Sequence, residues 1–388
     1  MKKILVTCAL VVSVPAAHAQ SSITLYGIID EGFEAISNVP VAGSKSGGRL
    51  FRLDANNGLN GSRWGLKGSE DLGGGLKAVF TLENGFELNT GNLAQGGDEF
   101  GRQAFVGLSS DRYGTVTLGR QYDPIIDYVG IYEFGDSNLG SDHAAHPGDL
   151  DNFNFTRRQN NSVKYQSPDY GGLRFESLYS FGGVPGSLAT NQAYSFGAHF
   201  ARGPLGMSVA YSHVNNPAAS LFGSNPTDTA TSNGLTASPI YSGYASARTY
   251  QVVAAGGSYA FGHVVVGATY SNIRYSNIAA LSESSADFND AEVSLQYLIA
   301  PDWSVGAAYN FLKGNAVTQT IGGAKYNQLS AGVNHKLSKR TDVYISGAWQ
   351  TASGDDSTGH AAVANIADLS PSSNRHQAVA RIGIRHQF

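Results

Sequence analysis

The last fourteen residues of the chain, 375–388, alternate between two kinds of side chain and end on an aromatic ring. Apolar side chains dominate the even positions and cationic or amide side chains the odd ones: Ala378, Ala380, Ile382, Ile384 and Phe388 against Arg375, Gln377, Arg381, Arg385 and Gln387. A period of two puts successive side chains on opposite faces of a strand. A terminal strand with one apolar and one cationic face predicts the closing strand of an outer-membrane barrel.

Residues 1–19 predict a secretory signal peptide. They begin with a positive MKK segment, continue through an apolar run and end on an A-H-A cleavage site. The apolar run is too short to cross a bilayer as a helix. We therefore expect export and a mature chain that forms one domain, residues 20–388. Cys8 is the single cysteine and leaves with the peptide, so we expect no disulfide and no thiol chemistry.

Composition and charge narrow the class further. The formal net charge at pH 7 is −4, which gives no reason to expect a nucleic-acid partner. The 48 glycines and 20 tyrosines suit twisted strands, tight turns and membrane-interface belts. After residue 20, no apolar run approaches the roughly 18 residues that a membrane helix needs. Because backbone groups in lipid are satisfied only in helices and closed barrels, a membrane protein with this sequence must be a closed barrel.

Strand-like segments recur along the chain, separated by connectors that are alternately short and long. The short connectors carry turn-forming residues: 71–75, 111–114, 168–172, 203–206, 261–263, 300–302 and 338–341. The long connectors are polar: 35–61, 88–99, 122–157, 183–191, 214–248, 275–288, 313–325 and 352–374. Seven turns and eight loops connect sixteen strands. We predict an all-β fold, a sixteen-stranded antiparallel transmembrane β-barrel with short periplasmic turns and long external loops.

Alternation within the strands predicts which face points inwards. In segment 173–181, Arg174 and Glu176 oppose Phe175 and Tyr179, and other segments repeat this pattern. A soluble barrel would turn its apolar face inwards. Here the opposite face is charged, which predicts a water-filled lumen with lipid outside.

Segment 63–86, RWGLKGSEDLGGGLKAVFTLENGF, resembles the trimeric general porins of β-proteobacteria, in the Gram-negative porin family. Further stretches carry the same resemblance: 22–30, 102–124, 161–180, 329–340 and 379–388. The resemblance implies a homotrimer in the bacterial outer membrane, in contact with its lipid and lipopolysaccharide, that passes small hydrophilic solutes by diffusion. It implies that the third long loop, 122–157, folds inwards and narrows the lumen. It also implies that Phe388 belongs to the signal read by the barrel-assembly machinery.

The same resemblance places arginines of the barrel wall opposite the third loop. Arg63, Arg102 and Arg158 occupy matching positions, and Arg120 matches a further arginine of the family whose role is less defined. Alternation independently sends Arg63 and Arg158 inwards. It sends Arg102 and Arg120 towards lipid, unless a bulge or a strand end intervenes. We expect all four at the pore constriction.

The third loop itself is acidic. It carries seven acids and no Lys or Arg before Arg157: Asp123, Asp127, Glu133, Asp136, Asp142, Asp149 and Asp151. We expect the first four of these at the pore constriction, opposite the arginines. Opposed rings of charge set the selectivity of a pore through the local potential. The sign of that selectivity is left open by the sequence, with a weak preference for anions.

Catalytic and metal chemistry are the first competing interpretations. No G-x-S-x-G elbow and no H-E-x-x-H motif occurs, so we expect neither an enzyme nor a cofactor. His143 and His146 lie on the third loop near Asp142 and Asp149, where metal binding is the weaker interpretation and a solvated loop the stronger. We therefore predict no metal site.

Two other classes remain as alternatives to a general diffusion channel. One is a substrate-specific outer-membrane channel for sugars or organic acids, in which Tyr128 and Tyr132 would line a stacking track. The other is a secreted soluble β-protein. The charged face of the last strand and the terminal Phe388 argue against the soluble protein.

Overall fold

The computed structural model describes residues 22–44, 46–221, 235 and 238–388, and the predicted signal peptide lies outside them. The described residues form one sheet of seventeen strands: β1 (Ser22–Val39), β2 (Gly48–Asp54), β3 (Arg63–Gly73), β4 (Leu76–Gly85), β5 (Gln103–Ser110), β6 (Gly114–Gln121), β7 (Gln159–Gln166), β8 (Leu173–Ser180), β9 (Ala193–Arg202), β10 (Leu205–Asn215), β11 (Ala247–Phe261), β12 (Val264–Ile278), β13 (Ser284–Ala300), β14 (Trp303–Gly314), β15 (Lys325–Lys336), β16 (Thr341–Ser353) and β17 (His376–Gln387). None of the described helices is long and apolar enough to span a bilayer.

The seventeen strands occupy sixteen positions in a closed antiparallel barrel. β2 and β3 lie end to end along β1, because β2 pairs with residues 32–39 and β3 with residues 22–28 of the same strand. Residues 55–62 separate the two halves. Each later strand pairs with the next one in sequence, and β17 closes the ring against β1 with Gly383 opposite Gly32. The predicted fold class is confirmed.

The predicted turns agree with the structure, but two of the predicted loops are too long. Loop 275–288 shrinks to 279–283, since β12 and β13 continue towards each other. Loop 35–61 contains the end of β1 and all of β2. At the loop end of β12 the usual alternation is reversed: Ile273 and Tyr275 are buried inside, and Arg274 is exposed outside. The outer surface meets water there, so the alternation of apolar outer and polar inner side chains, by which the strands were predicted, does not hold.

An apolar band surrounds the outside of the barrel, as predicted. Its large side chains point away from the lumen, and Ile345, Val293 and Ile382 are 56–58% exposed. Aromatic rings, among them Trp303 and Trp349, lie on the same outer face. On β17 the odd positions from 377 to 385 are buried and the even positions from 380 onwards are exposed, as the alternation predicts. Such a band is what the hydrocarbon core of a membrane requires.

The third loop runs between β6 and β7 and lies inside the barrel, where its apolar side chains fill part of the lumen. Ile125, Val129 and Phe153 of the loop join a cluster that includes Val252 of β11 and Ile273 of β12. Strand alternation predicted a charged inner face and a water-filled lumen, and it did not predict the apolar contacts between the loop and the wall. Alternation reports which face a side chain occupies, but not whether a loop covers it.

A buried ion cluster fastens β17 to β1 and β2 at the seam of the barrel. Guanidinium nitrogens of Arg381 lie close to three carboxylate oxygens. The N···O distances are 2.7 Å to Glu34, 3.4 Å to Asp54 and 3.5 Å to Asp30. Its Nε donates a hydrogen bond of 2.8 Å to the hydroxyl of Tyr344. Removing one partner from a buried ion pair leaves charge uncompensated, which is strongly destabilising.

We predict that Arg381→Ala lowers the free energy of unfolding by about 3–5 kcal/mol, because three buried acids lose the cation that they share. The measurement is thermal unfolding of the detergent-extracted barrel, followed by circular dichroism. The matched control is Arg248→Ala, which breaks a pair with Glu283 whose side chains are 65% and 49% exposed. That control should change stability by less than about 1 kcal/mol. Equal effects of the two substitutions would contradict a role for the buried cluster.

Candidate functional site

The half of the lumen that the third loop leaves open is a cavity of about 590 Å³. The barrel wall, the third loop and the last loop (354–375) all contribute to its lining. Residues 55–62, which interrupt the strand between β2 and β3, fold into it. The Oδ1 atom of Asp54 accepts hydrogen bonds from the backbone nitrogens of Asn56 and Asn57 and so forms the turn. Gly58 is required there, since a Cβ would lie 2.3 Å from the carboxyl group of Asp30.

Three of the four predicted arginines line this cavity and surround one phenol. Arg158 donates a hydrogen bond of 3.0 Å from Nη2 to the hydroxyl of Tyr122, and its guanidinium carbon lies 5.1 Å from the centre of the Tyr122 ring. Arg63 and Arg102 line the same cavity. Burial raises the pKa of Tyr122, but the charges of Arg102, Arg158 and Arg63 outweigh it, and the net pKa is lowered. The lowered pKa indicates a positive potential at this point of the lumen.

The three arginines differ in how their charges are compensated. Arg102 is paired with Glu83, at 2.8 Å between Nε and Oε1. Arg63 donates from Nε to the carbonyl oxygen of Gly61 at 2.9 Å, and Arg158 donates from Nη1 to that of Thr156 at 3.1 Å. Backbone carbonyls are dipoles and carry no net charge. Two of the three guanidinium groups therefore present their charge to the cavity without a bonded carboxylate among the described residues.

Local backbone features explain why simple alternation is wrong for Arg102 and Arg120. Arg102 precedes β5, so the parity of that strand does not apply to it. At Arg120 the pairing of β6 with β7 shifts register between Gly119 and Gln121, which marks a bulge. Arg120 does not line the cavity. It donates from Nε to the carbonyl oxygen of Gly101 at 2.8 Å, next to Arg102, and its Nη1 is bonded to Asn160.

Two acids of the third loop face the arginines across the cavity, Asp136 and Asp142. Enclosure by the loop and the wall raises the pKa of Asp136 to about 7, although Arg63 and Arg102 act to lower it. Enclosure also raises the pKa of Asp142 well above its usual range, and Asp368 on the last loop adds to this effect. With a pKa of about 7, Asp136 carries less than a full negative charge near neutral pH, whereas an arginine stays charged.

The other three predicted acids of the loop lie away from the cavity, where they hold the loop in place. Asp123 accepts a hydrogen bond of 3.1 Å from the hydroxyl of Ser212 on β10. Asp127 pairs with the ammonium group of Lys164 on β7. Glu133 accepts the backbone N–H of His146 at 2.7 Å, within the loop.

The two histidines of the third loop are buried, which corrects the expectation of a solvated loop. Nε2 of His143 lies 2.7 Å from Oε1 of Glu34, the same carboxylate that binds Arg381 at the seam. His146 lies against a different part of the wall, at Asp290 of β13. The loop is thus fixed to the barrel at separate points. Tyr128 packs against His199 of β9, with ring centres 5.6 Å apart, and lines no part of the cavity.

Sequence reasoning missed several residues that line the cavity or, in the case of Tyr122, bind an arginine that lines it. Tyr122 gave no signal beyond its position at the start of the third loop. Arg52 and Asp54 were assigned to a loop, yet they belong to β2, where Arg52 binds Glu34 and Asp54 at 2.9 and 3.1 Å. Asp368 reaches the cavity from the last loop, which lies about two hundred residues after the third loop in the chain. Only the closed barrel brings these segments together.

Comparisons with known proteins agree on one family. The model of the Gram-negative porin family matches residues 6–355. An outer membrane porin protein of Bordetella pertussis is 32% identical over 418 aligned positions, which cover 100% of both chains. The solved structure of the anion-selective porin from Comamonas acidovorans superposes with a TM-score of 0.72 at 23% identity, covering 95% of this chain and 100% of that one. The trimer form of OmpT from Vibrio cholerae superposes with a TM-score of 0.62 at 16% identity, covering 95% of this chain and 99% of that one.

The family match spans most of the chain, the relative is aligned over its whole length, and the closed barrel has an apolar exterior and an open, charged cavity. These findings identify a channel rather than an enzyme. The chain therefore belongs to the Gram-negative porin family and forms a channel in the bacterial outer membrane.

Proposed function

We propose that the cavity is the constriction of a general diffusion channel that favours small hydrophilic anions over cations. Arg63, Arg102 and Arg158 form its positive side, and Asp136 and Asp142 form its negative side. The observation that carries this proposal is the convergence of three arginines on one cavity, two of them bonded to backbone carbonyls and to no carboxylate among the described residues. The lowered pKa of Tyr122, caused by the charges of these arginines, agrees with it. The anion selectivity named for the structurally similar Comamonas porin is consistent with this sign.

The sign of the selectivity follows from which charges persist at neutral pH. The arginines stay charged at every physiological pH. Asp136, with a pKa of about 7, is partly neutral there, and enclosure raises the pKa of Asp142 as well. A unit charge about 7 Å from a passing ion changes its energy in water by about 0.6 kcal/mol, or about threefold in relative permeability. A small excess of positive charge in the constriction is therefore enough to favour anions over cations.

The wider assembly is also part of the proposal. We propose a homotrimer in contact with outer-membrane lipid and lipopolysaccharide, supported by the family and by the trimer form named for the Vibrio protein. Removal of the signal peptide, residues 1–19, and insertion by the barrel-assembly machinery would precede it. The continuous apolar band on the outside of the barrel supports contact with lipid.

We predict that replacing Arg63, Arg102 and Arg158 together with Ser moves selectivity from anions towards cations. The ratio of anion to cation permeability should fall by roughly tenfold or more, because three charges leave the constriction. The measurement is the reversal potential of single channels in a KCl gradient across a planar bilayer.

The matched control replaces three exposed arginines near the short turns, Arg112, Arg202 and Arg340, with Ser. It removes the same net charge outside the cavity and should leave the reversal potential nearly unchanged. A triple variant of the cavity with wild-type selectivity would remove these arginines from the filter.

We predict that selectivity depends on pH through the loop acids. As pH falls from about 8 to about 6, Asp136 takes up a proton, negative charge leaves the constriction, and the preference for anions rises by about twofold to threefold. The measurement is the reversal potential at fixed KCl across that range. Asp136→Asn should raise the preference at high pH and flatten the profile. A flat profile in the wild-type channel would contradict a titrating acid in the filter.

We predict that Phe388→Ala lowers the yield of folded trimer in the membrane severalfold, because the terminal aromatic is part of the assembly signal. The substitution keeps the backbone hydrogen bonds of 3.0 and 3.2 Å between residue 388 and Gly27. The measurement is the amount of SDS-resistant, heat-modifiable trimer per cell, with Phe388→Tyr as the control that keeps an aromatic ring. Equal yields of all three proteins would argue against a role for this ring in assembly.

A further inference from the structure

The third loop meets the barrel wall at a buried group of one imidazole and several carboxyl groups. His146 and Asp151 belong to the loop and Asp290 belongs to β13, and each is at most 1% exposed. Nδ1 of His146 lies 2.8 Å from Oδ2 of Asp151 and 3.6 Å from Oδ1 of Asp290. One donor atom from each residue can be chosen so that all three lie within 4.8 Å of one another. The group lies on the far side of the loop from the open cavity and takes no part in the proposed selectivity.

This group has more acceptor atoms than donors. Oδ1 of Asp151 is buried and has no hydrogen-bond partner among the described residues. Oε2 of Glu292 is likewise buried and unpartnered, and it points at the group from 3.9 Å away from Nε2 of His146. Oε2 of Glu133 is also without a partner. Buried carboxylate oxygens without a donor or a cation are costly, so this arrangement calls for further positive charge.

The second ring nitrogen of His146 is oriented as in a metal-bound imidazole. Nε2 lies 3.3 Å from the hydroxyl of Thr269, 3.8 Å from Glu133 and 3.9 Å from Glu292. A histidine that binds a metal through one nitrogen usually directs its other N–H to a carboxylate or another oxygen, which fixes the ring. This arrangement leaves Nδ1 free to act as the ligand towards Asp151 and Asp290.

The two carboxylates are held by neighbouring strands. Ser271 on β12 donates its hydroxyl to Oδ2 of Asp151 at 2.6 Å. Asn310 on β14 donates its amide to Asp290, and its own Oδ1 atom is buried without a partner. Ligands oriented by such outer contacts are typical of built metal sites. Three strands and the loop therefore converge on one point.

We propose that His146, Asp151 and Asp290 bind one divalent transition-metal ion of the Zn²⁺ or Mn²⁺ class, which fastens the third loop to the wall. Bonds of about 2.1 Å in tetrahedral geometry separate ligand atoms by about 3.4 Å, close to the spacing of these donors. One imidazole with carboxylates suits Zn²⁺ and Mn²⁺ better than Ca²⁺ or Mg²⁺, which prefer oxygen alone. The ion replaces the proton on Nδ1 and offsets the negative charge of the two ligating carboxylates.

The test measures the metal content of the full-length protein after refolding into detergent with Zn²⁺ as the single metal ion. Refolding is used because metal can enter or leave the buried site only when the loop leaves the wall. We expect about one Zn²⁺ per chain after gel filtration, measured by inductively coupled plasma mass spectrometry. His146→Gln should lose it. The matched control is His143→Gln, which removes the other buried histidine of the loop, a residue bonded to a single carboxylate. That variant should retain the metal.

Two results would overturn the proposal: wild-type protein with no more zinc than His146→Gln, or equal zinc in all three proteins. The first would mean that protons alone neutralise the carboxyl groups. Should His146→Gln fail to give heat-modifiable trimer, Asp290→Asn replaces it, since that change is isosteric and removes a ligand. As a second measurement, Zn²⁺ present during refolding should raise the unfolding temperature of the wild type and not of the ligand variant.

Discussion

Closure of the sheet between β1 and β17 is the constraint on which the rest of the structure depends. In lipid an unpaired strand edge has no water to bond with, so an open sheet of this length could not remain in a membrane. The backbone pairs along the seam, from Ile28 opposite Gln387 to Ile36 opposite Val379, remove both edges. Arg381 adds a second fastening at the same place, because its charge is shared among acids of β1 and β2.

The seam also helps to hold the third loop. Glu34 binds Arg381 on one side and His143 of the loop on the other, so the cluster that closes the barrel is continuous with a contact that holds the loop inwards. Elsewhere on the wall, the loop is fixed by the group around His146 and by Lys164. A loop held at separate points around the wall divides the lumen into a packed part and an open part. The width of the open part is therefore set by the same contacts that stabilise the fold.

The two sides of the open cavity respond differently to their surroundings. Enclosure raises the pKa of a carboxyl group and so tends to neutralise it, whereas a guanidinium group keeps its charge even when partly desolvated. Arg63 and Arg158 are bonded to backbone carbonyls, and Asp136 and Asp142 are enclosed by the loop and the wall. The same enclosure that narrows the cavity thus weakens its acids more than its bases, which gives a physical basis for a preference for anions.

Sequence alone determined the barrel, its strand number and the direction of its faces, because a two-residue period and short turns are local properties of the chain. The family followed from the resemblance of whole segments such as 63–86. Sequence also singled out Arg63, the first residue of β3, and Arg158, which directly precedes β7. It could not establish which acids reach the cavity. Asp123, Asp127 and Glu133 share the loop and the chemistry of Asp136, yet the first two bond to the wall and Glu133 bonds within the loop. The convergence of Tyr122, Asp368 and the two halves of the interrupted strand was decided by the tertiary structure alone. Contacts across a lumen join residues far apart in the chain, and no local pattern encodes them.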